Sequence, residues 1–206
     1  MFQIDIEKSL EILNQGGVIL YPTDTVWGIG CDATNSAAVE RIFTIKQRDE
    51  AQAMLTLVDG LDRLAGYVEN VPDIALQLME EATRPLTVIY PKAKNLAANL
   101  IATDGSIGIR IVQEPFCRQL IKAFGKPIVS TSANISGEPA AGIFDEISEE
   151  IKKSVDFSVY VLRPCKSYVF QKTFAVCIIH IITSAIPIRN GGHTVFFIPV
   201  LFSVLG

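Results

Sequence analysis

The sequence predicts an α+β fold in which helices cover a mixed β-sheet. Short apolar runs rich in β-branched residues indicate strands, and longer segments whose apolar residues recur every three or four positions indicate helices. These strands and helices do not alternate strictly, as they would around a purely parallel sheet. The 206 residues are enough for one domain with a sizeable core.

The predicted elements follow in order along the chain. Asp5 is expected to cap a first helix that ends at Gly16, because short acidic side chains accept hydrogen bonds from a first helical turn and glycine suits a helix end. Residues 17–21 are an apolar run and predict a buried strand. The other predicted helices are 37–45, 61–67, 72–82, 115–124 and 144–153, and the other predicted strands are 54–58, 86–90, 107–111 and 128–130.

Short polar side chains follow the first predicted strand. Thr23, Asp24 and Thr25 come directly after the proline that ends it, and Gly28 and Gly30 then allow close approach of the backbone. The carboxyl end of a strand is the usual place for a ligand in an open α/β sheet. A simple turn made of turn-forming residues explains this stretch equally well.

Two cations follow the second predicted helix. Lys46 and Arg48 are two positions apart, so in an extended segment their side chains would converge on one anion. Arginine offers a bidentate fork to phosphate, and lysine offers a point charge. The alternative is that both cations only interact with the dipole of a helix end, and taken alone the pair fits this alternative better.

Alternating polar residues extend the last predicted strand. Ser130, Ser132 and Asn134 share one face of an extended chain, whereas Thr131 lies on the other. A Ser/Asn-rich loop needs no such alternation, so the pattern favours a site that binds a polar ligand. Arg110 ends the preceding strand and is either a surface cation or an anion clamp.

Composition argues against several functional classes. A formal net charge of −4 disfavours broad nucleic-acid binding, although it permits a local basic cleft. His180 and His193 are the only histidines, so a histidine triad or a His-rich metal site is not expected. The four cysteines lack CxxC spacing, which indicates reduced thiols in a cytoplasmic protein, and no secretory signal is predicted.

The composition changes abruptly after Asp156. Residues 157–206 contain neither Asp nor Glu, and the segments 175–188 and 194–205 are strongly apolar. Both are shorter than the roughly 20 residues that span a bilayer, so strands or a core appendage are favoured over a membrane hairpin. An altered reading frame is a third interpretation. We predict a domain at 1–156 and an atypical apolar segment at 157–206 that packs poorly.

Four motifs occur in a fixed order: YPTDTVWGIGCDA at 21–33, KQR at 46–48, SIGIR at 106–110 and KPIVSTSANISG at 126–137. Together they resemble the YrdC-type threonylcarbamoyl-adenylate synthase family over about residues 5–155. The resemblance implies a three-layer α+β fold, with a twisted mixed sheet around an open, positively lined cleft. It also implies a nucleotidyl transfer in which L-threonine, bicarbonate and ATP give threonylcarbamoyl-AMP and pyrophosphate.

The resemblance assigns roles to individual residues. The catalytic residues, which would also hold the ATP phosphates, match the KxR and SxN pairs of the family: Lys46, Arg48, Ser132 and Asn134. The further ATP contacts would be Gln52 and Ser106. The positions that would bind threonine are Thr23, Thr25, Arg110 and Ser130. Mg2+ would accompany the triphosphate, and no residue is assigned as a metal ligand.

The family context also implies partners. A separate transferase would move the threonylcarbamoyl group to adenosine 37 of tRNA, and no membrane is expected. The alternative is a non-catalytic RNA- or nucleotide-binding module of the same fold. A carbamoyl-phosphate-using relative, as in hydrogenase maturation, is disfavoured because those chains are longer and carry further domains.

The C-terminal segment departs from the family pattern. Family members continue with a Ser-Thr-Ile strand and an Arg-Gly element that close the cleft, and neither is recognisable after Asp156. Ser184 and Arg189 are the nearest residues in type, but they stand too close together to match. We therefore expect this chain to bind ATP and threonine more weakly than relatives with the closing elements.

Overall fold

The computed structural model describes residues 2–47, 54–160, 176–181, 186–190, 193–197 and 200–205. These residues form six α-helices: α1 (Gln3–Asn14), α2 (Ser36–Lys46), α3 (Leu64–Tyr67), α4 (Asp73–Glu81), α5 (Pro115–Phe124) and α6 (Glu149–Ser154). They also form eleven strands: β1 (Ile19–Pro22), β2 (Trp27–Gly30), β3 (Leu55–Val58), β4 (Leu86–Tyr90), β5 (Ile107–Ile111), β6 (Ile128–Ser132), β7 (Phe157–Ser158), β8 (Val176–Ile181), β9 (Ile186–Asn190), β10 (His193–Phe197) and β11 (Val200–Leu205).

Nine strands form one mixed sheet in the order β11-β8-β4-β5-β3-β6-β2-β1-β7, while β9 and β10 pair separately. The parallel pairs are β1–β7, β3–β5 and β4–β8. At the centre of the sheet, Leu57 of β3 lies opposite Arg110 of β5 on one side and Ile128 of β6 on the other. Residues far apart in the sequence thus meet on three adjacent central strands.

The sheet buries apolar side chains on both of its faces. Leu20 of β1 belongs to the core that includes residues of α2, α3, α4 and α6, whereas its neighbours Ile19 and Tyr21 belong to the core beneath α1 and α5. In β6, Ile128 belongs to the core beneath α1 and α5, whereas Val129 belongs to the other core. Since successive strand residues point to opposite faces, helices must cover both sides. The predicted three-layer α+β fold is confirmed.

Most predicted elements are present, and β4, β5 and α5 have the predicted bounds. The first helix begins earlier than expected, so Asp5 does not cap it. Asp5 lies within the first turn, is buried, and accepts a hydrogen bond from the backbone N–H of Tyr160. The helix predicted at 144–153 is split, because Ile147 is extended and Ser148 caps the shorter α6.

The stretch Trp27–Gly30 is a strand, although its glycines suggested a loop. Gly30 is needed there, since a Cβ at this position would lie 2.2 Å from the carbonyl oxygen of Val129 and 2.8 Å from the ring of Tyr21. A glycine in a strand therefore marks a close approach between neighbouring strands. As a result β1 and β2 form a hairpin, and residues 23–26, of which the first three are polar, are its loop.

The C-terminal segment adds strands, as predicted. β8 pairs in parallel with β4, and β11 pairs antiparallel with β8 at the edge of the sheet. Within the described part of the chain, no helix is long and apolar enough to cross a membrane. The division at residue 156 and the poor packing of the tail stay predictions. Ser184 lies outside the described residues, as does the side chain of Arg189.

Candidate active site

A cavity of about 260 Å3 lies between the β1–β2 loop and the central strands. Its lining residues are Thr23, Thr25, Val26, Gly28, Met54, Leu55, Arg110, Ser130, Thr131 and Ser132. All four residues predicted to bind threonine therefore line one cavity, together with one of the predicted catalytic residues. Thr131 also contributes to the lining, which the alternation along β6 did not predict.

The β1–β2 loop is built by its own threonines. The hydroxyl of Thr23 donates to the carbonyl oxygen of Val26 at 2.7 Å, and the backbone N–H of Thr25 donates to Thr23 Oγ1 at 3.2 Å. Thr23 is buried, whereas Thr25 is half-buried. Thr23 thus shapes the loop, and the Thr25 hydroxyl is the more accessible of the two.

Gly28 keeps the cavity open beside this loop. A Cβ at Gly28 would lie 3.2 Å from the carbonyl oxygen of Thr131, 3.2 Å from Cγ2 of Thr23 and 3.4 Å from the hydroxyl oxygen of Ser130. Each of these residues lines the cavity. A side chain at position 28 would therefore project into the cavity and reduce its volume.

Arg110 is a buried cation, with 5% of its surface exposed. Its Nε and Nη2 donate to the hydroxyl of Thr87 at 3.0 and 2.9 Å, across the register of β4 and β5. Burial lowers the pKa of Arg110, and the negative charge of Asp24 opposes this effect. Among the described residues no carboxylate forms an ion pair with Arg110, so its guanidinium can bind a ligand carboxylate.

Lys46 does not lie in an exposed, extended segment, contrary to the sequence expectation. It is the last residue of α2, is 1% exposed, and precedes Gln47 in the left-handed conformation. Its ammonium donates to the carbonyl oxygens of Ser132 and Asn134 at 2.6 and 2.7 Å. The helix runs one residue further than predicted, and the long lysine side chain reaches the end of β6. Lys46 therefore organises the segment that carries the SxN pair.

Asn134 does not line the cavity with Ser130 and Ser132, although the predicted alternation placed all three residues on one face. Its amide nitrogen donates to the carbonyl oxygens of Ile135 and Glu138. Its Oδ1 and the hydroxyl of Ser136 are buried without a hydrogen-bond partner among the described residues. Buried polar atoms without a partner are costly, so this loop is less completely hydrogen-bonded than the rest of the described core.

Among the other predicted ATP contacts, Ser106 does not line the cavity. Ser106 lies in the turn before β5, whereas Arg110 lies near the other end of that strand. Arg48 and Gln52 lie outside the described residues. No cluster of three or more metal-ligating side chains occurs in the described part of the chain.

Asp24 and Thr87 support the site but were not assigned a role from the sequence. Thr87 stands opposite Arg110 only through strand pairing, which residue patterns do not reveal. Asp24 lies inside a recognised motif, and its carboxylate accepts backbone hydrogen bonds from Gln113 and Glu114. The signal for Asp24 in the sequence was its position as a charged residue between two predicted threonine-binding residues.

Comparisons with known proteins show what this chain is similar to. Residues 11–173 match the model of the Sua5/YciO/YrdC family, which carries the description "telomere recombination". Threonylcarbamoyl-AMP synthase of Pseudoalteromonas translucida is 34% identical over 160 residues, which cover 76% of this chain and 86% of that protein. YciO of E. coli has a TM-score of 0.74 and 25% identity, with coverage of 98% of this chain and 91% of YciO.

Sua5 of P. abyssi in complex with L-threonine also has a TM-score of 0.74. It is 22% identical, and the match covers 86% of this chain and 51% of that chain, so this chain spans about half the length of Sua5. At that identity the likeness shows the fold. The family model covers most of the sequence, and the chain belongs to the Sua5/YciO/YrdC family.

Proposed function

We propose that the chain is an L-threonylcarbamoyladenylate synthase, which forms threonylcarbamoyl-AMP and pyrophosphate from L-threonine, bicarbonate and ATP. The observation that carries the proposal is the cavity in which Thr23, Thr25, Arg110 and Ser130 converge beside Ser132. The identity with a curated threonylcarbamoyl-AMP synthase supports the same activity.

The cavity suits an amino acid. At about 260 Å3 it is smaller than the roughly 300–1,000 Å3 of pockets for drug-sized ligands. The Arg110 guanidinium, held by the neutral hydroxyl of Thr87, offers charge-assisted hydrogen bonds to a carboxylate. The hydroxyls of Thr25 and Ser130 can bind the amino and hydroxyl groups of threonine.

The reaction joins threonine to the nucleotide through a carbamate. The neutral amine of threonine forms a carbamate, either by condensing with bicarbonate with loss of water or by adding to CO2 with loss of a proton. A carbamate oxygen then attacks the α-phosphorus of ATP, the bond between this phosphorus and the α,β-bridging oxygen breaks, and pyrophosphate leaves with that oxygen. Charge develops on the phosphate oxygens, so fixed donors and cations at the end of β6 would lower the barrier.

The segment after β6 is the proposed ATP side of the site. Ser132 and Asn134 would contact the nucleotide, and the buried ammonium of Lys46 holds the carbonyl groups of both residues. Lys46 thereby fixes this segment before ATP arrives. Arg48, Gln52 and Ser106 remain proposed contacts. Mg2+ bound to the triphosphate would neutralise part of its charge.

The product determines the next step. Threonylcarbamoyl-AMP is a mixed anhydride, so its threonylcarbamoyl group is activated for transfer to a nucleophile. A separate transferase would move this group to adenosine 37 of tRNA, with release of AMP.

Pyrophosphate release provides the test. The chain is incubated with ATP, Mg2+ and bicarbonate, with and without L-threonine, and threonylcarbamoyl-AMP is identified by mass spectrometry. We expect release that requires both threonine and bicarbonate. Binding of ATP without threonine-dependent release would instead support the alternative, a non-catalytic RNA- or nucleotide-binding module of the same fold.

A further inference from the structure

We infer that Asp24 is a positioning residue for threonine, because its carboxylate fixes the turn that follows β5, the strand of Arg110. This inference rests on the proposed function and adds a residue to it. Asp24 does not line the cavity, whereas its neighbours Thr23 and Thr25 do. Its role is therefore to act through other residues rather than to touch the substrate.

The carboxylate of Asp24 spans two distant parts of the chain. It accepts hydrogen bonds from the backbone N–H of Gln113 at 3.0 and 3.1 Å and from the backbone N–H of Glu114, which are 89 and 90 residues away in the sequence. Both N–H groups belong to the turn that joins β5, the strand of Arg110, to α5. One side chain thus ties the threonine-rich loop to the strand on the opposite wall of the cavity.

An acceptor with a negative charge suits this turn. Glu114 is the N-cap of α5, and its Oε2 accepts from the backbone N–H of Cys117 at 2.7 Å, while its Oε1 has no partner among the described residues. The backbone N–H groups at 113 and 114 donate to Asp24 rather than to Glu114. The positive end of the α5 dipole favours a carboxylate at this point. Asp24 supplies it, so the position of the turn depends on the β1–β2 loop.

The negative charge of Asp24 also partly offsets the cost of burying Arg110, although Asp24 does not bind the guanidinium directly. Arg110 and Asp24 attract each other, and no ion pair joins them in the described part of the chain. The direct partner of Arg110 is the neutral hydroxyl of Thr87. A remote negative charge lowers the cost of burying the guanidinium and leaves its hydrogen-bonding edge available for a ligand carboxylate. A direct carboxylate partner would compete with threonine.

Asp24→Asn provides the test, because it removes the charge and turns one acceptor into a donor that faces two N–H groups. We expect the Kd for L-threonine, measured by calorimetry, to rise about tenfold or more. The Kd for ATP should stay within about twofold, since the contacts of Lys46 with Ser132 and Asn134 do not involve Asp24. Hydrogen exchange at the amides of Gln113 and Glu114 should accelerate.

Asp156→Asn is the matched control. Asp156 also accepts a backbone hydrogen bond, from Val18 at 2.7 Å, but neither Val18 nor its other partner, Arg41, lines the cavity. This variant should lose stability and keep its affinity for threonine. An equal loss of threonine affinity in both variants would reduce the role of Asp24 to general stability and overturn the inference.

The pH dependence of threonine binding is a second readout, and it uses the wild-type chain. Burial raises the pKa of Asp24, against the opposing effects of the two backbone hydrogen bonds and of Arg110. Threonine affinity should therefore fall as the pH drops through this raised pKa, and Asp24→Asn should remove that part of the profile. The other titratable groups that face the turn are Glu114 and Cys117, whose pKa values burial also raises.

The outcomes are separable. If the wild-type chain binds no threonine, the proposed function fails, and the inference fails with it. If the wild type binds threonine and Asp24→Asn binds it equally well, only the inference is overturned. Should Asp24→Asn not fold, Asp24→Glu and the wild-type pH profile decide. The longer Glu keeps the charge but displaces the turn, so it should weaken threonine binding. Unchanged threonine affinity in Asp24→Glu, or no loss of wild-type threonine affinity at acid pH, would contradict a positioning role.

Discussion

The ammonium nitrogen of Lys46 lies 2.6 Å from the carbonyl oxygen of Ser132, across 86 residues of sequence. This contact joins the end of α2 to the end of β6 and makes the ATP-side segment depend on a buried lysine. Lys46→Met should therefore lose both activity and stability. Removing the donor leaves two carbonyl groups poorly satisfied, so the free energy of unfolding should fall by about 2–4 kcal/mol.

Urea unfolding and threonine-dependent pyrophosphate release measure the two effects. Lys8→Met is the control, because Lys8 forms an exposed pair with Glu11 and its loss should change stability little. A Lys46→Met chain with full stability and no activity would indicate that Lys46 acts only on the nucleotide.

Gly28→Ala should close part of the threonine cavity. The added methyl group would lie 3.2 to 3.4 Å from atoms of Thr131, Thr23 and Ser130, so the neighbours or the ligand must give way. We expect the KM for threonine to rise at least about fivefold, with a smaller change in the KM for ATP. Gly66→Ala is the control, since its Cβ would meet nothing within 4 Å. Equal kinetics in both variants would show that position 28 does not border the substrate.

The sequence predicts features that depend on residues close together in the chain better than features that depend on distant residues. Residue patterns predict β4, β5 and α5 with their bounds, because caps, periodicity and propensity act locally. The family resemblance, rather than residue patterns, grouped Thr25, Arg110 and Ser130, and the structure brings them to one cavity. Their binding of threonine stays a proposal. The state of Lys46 was not predictable in this way, because whether a lysine is exposed depends on which distant carbonyl groups lie within its reach.

The strand Trp27–Gly30 shows the same limit. Local preference assigns its glycines to a loop, yet Gly30 is required by the carbonyl oxygen of Val129 on the neighbouring strand. The partner of Arg110 is likewise fixed by strand register, which pairs it with Thr87. Both relationships depend on pairing between segments that are distant in sequence, and tertiary context overrides local propensity there.

Stability should fall in acid through the clamp between Arg41 and Asp156. Asp156 accepts two hydrogen bonds from Arg41, at 2.8 and 3.1 Å, and one from Val18. These contacts, chiefly that with Arg41, lower the pKa of Asp156 below its ordinary value. A carboxylate whose pKa is lower in the folded state contributes stability above its unfolded pKa. That contribution is lost as the pH falls through the folded pKa.

Urea midpoints measured between about pH 7 and pH 3 test this clamp. Asp156→Asn should be less stable at neutral pH and should show a weaker acid dependence than the wild type. Asp145→Asn is the control, because Asp145 forms no ion pair among the described residues. Parallel profiles for the wild type and Asp156→Asn would contradict the assignment.

The C-terminal segment should leave the cleft less well closed than in relatives. In the described residues, β8 and β11 extend the sheet beyond β4, so β4, β5 and β3 separate them from β6 and its ATP-side segment. The Ser-Thr-Ile and Arg-Gly elements implied by the family resemblance are not recognisable in residues 157–206, and this segment has no acidic residue. We therefore expect weaker ATP binding than in the Pseudoalteromonas translucida synthase.

Calorimetry on both proteins under one buffer measures this difference. We expect the Kd for ATP of this chain to be about tenfold higher or more, as for the loss of one charge-assisted contact. A chimera tests the cause: residues 157–206 are replaced by the corresponding segment of the relative, and ATP affinity should recover. Equal affinity of the two natural proteins, or a contact of Ser184 or Arg189 with bound ATP, would mean that this sequence closes the cleft by a different route.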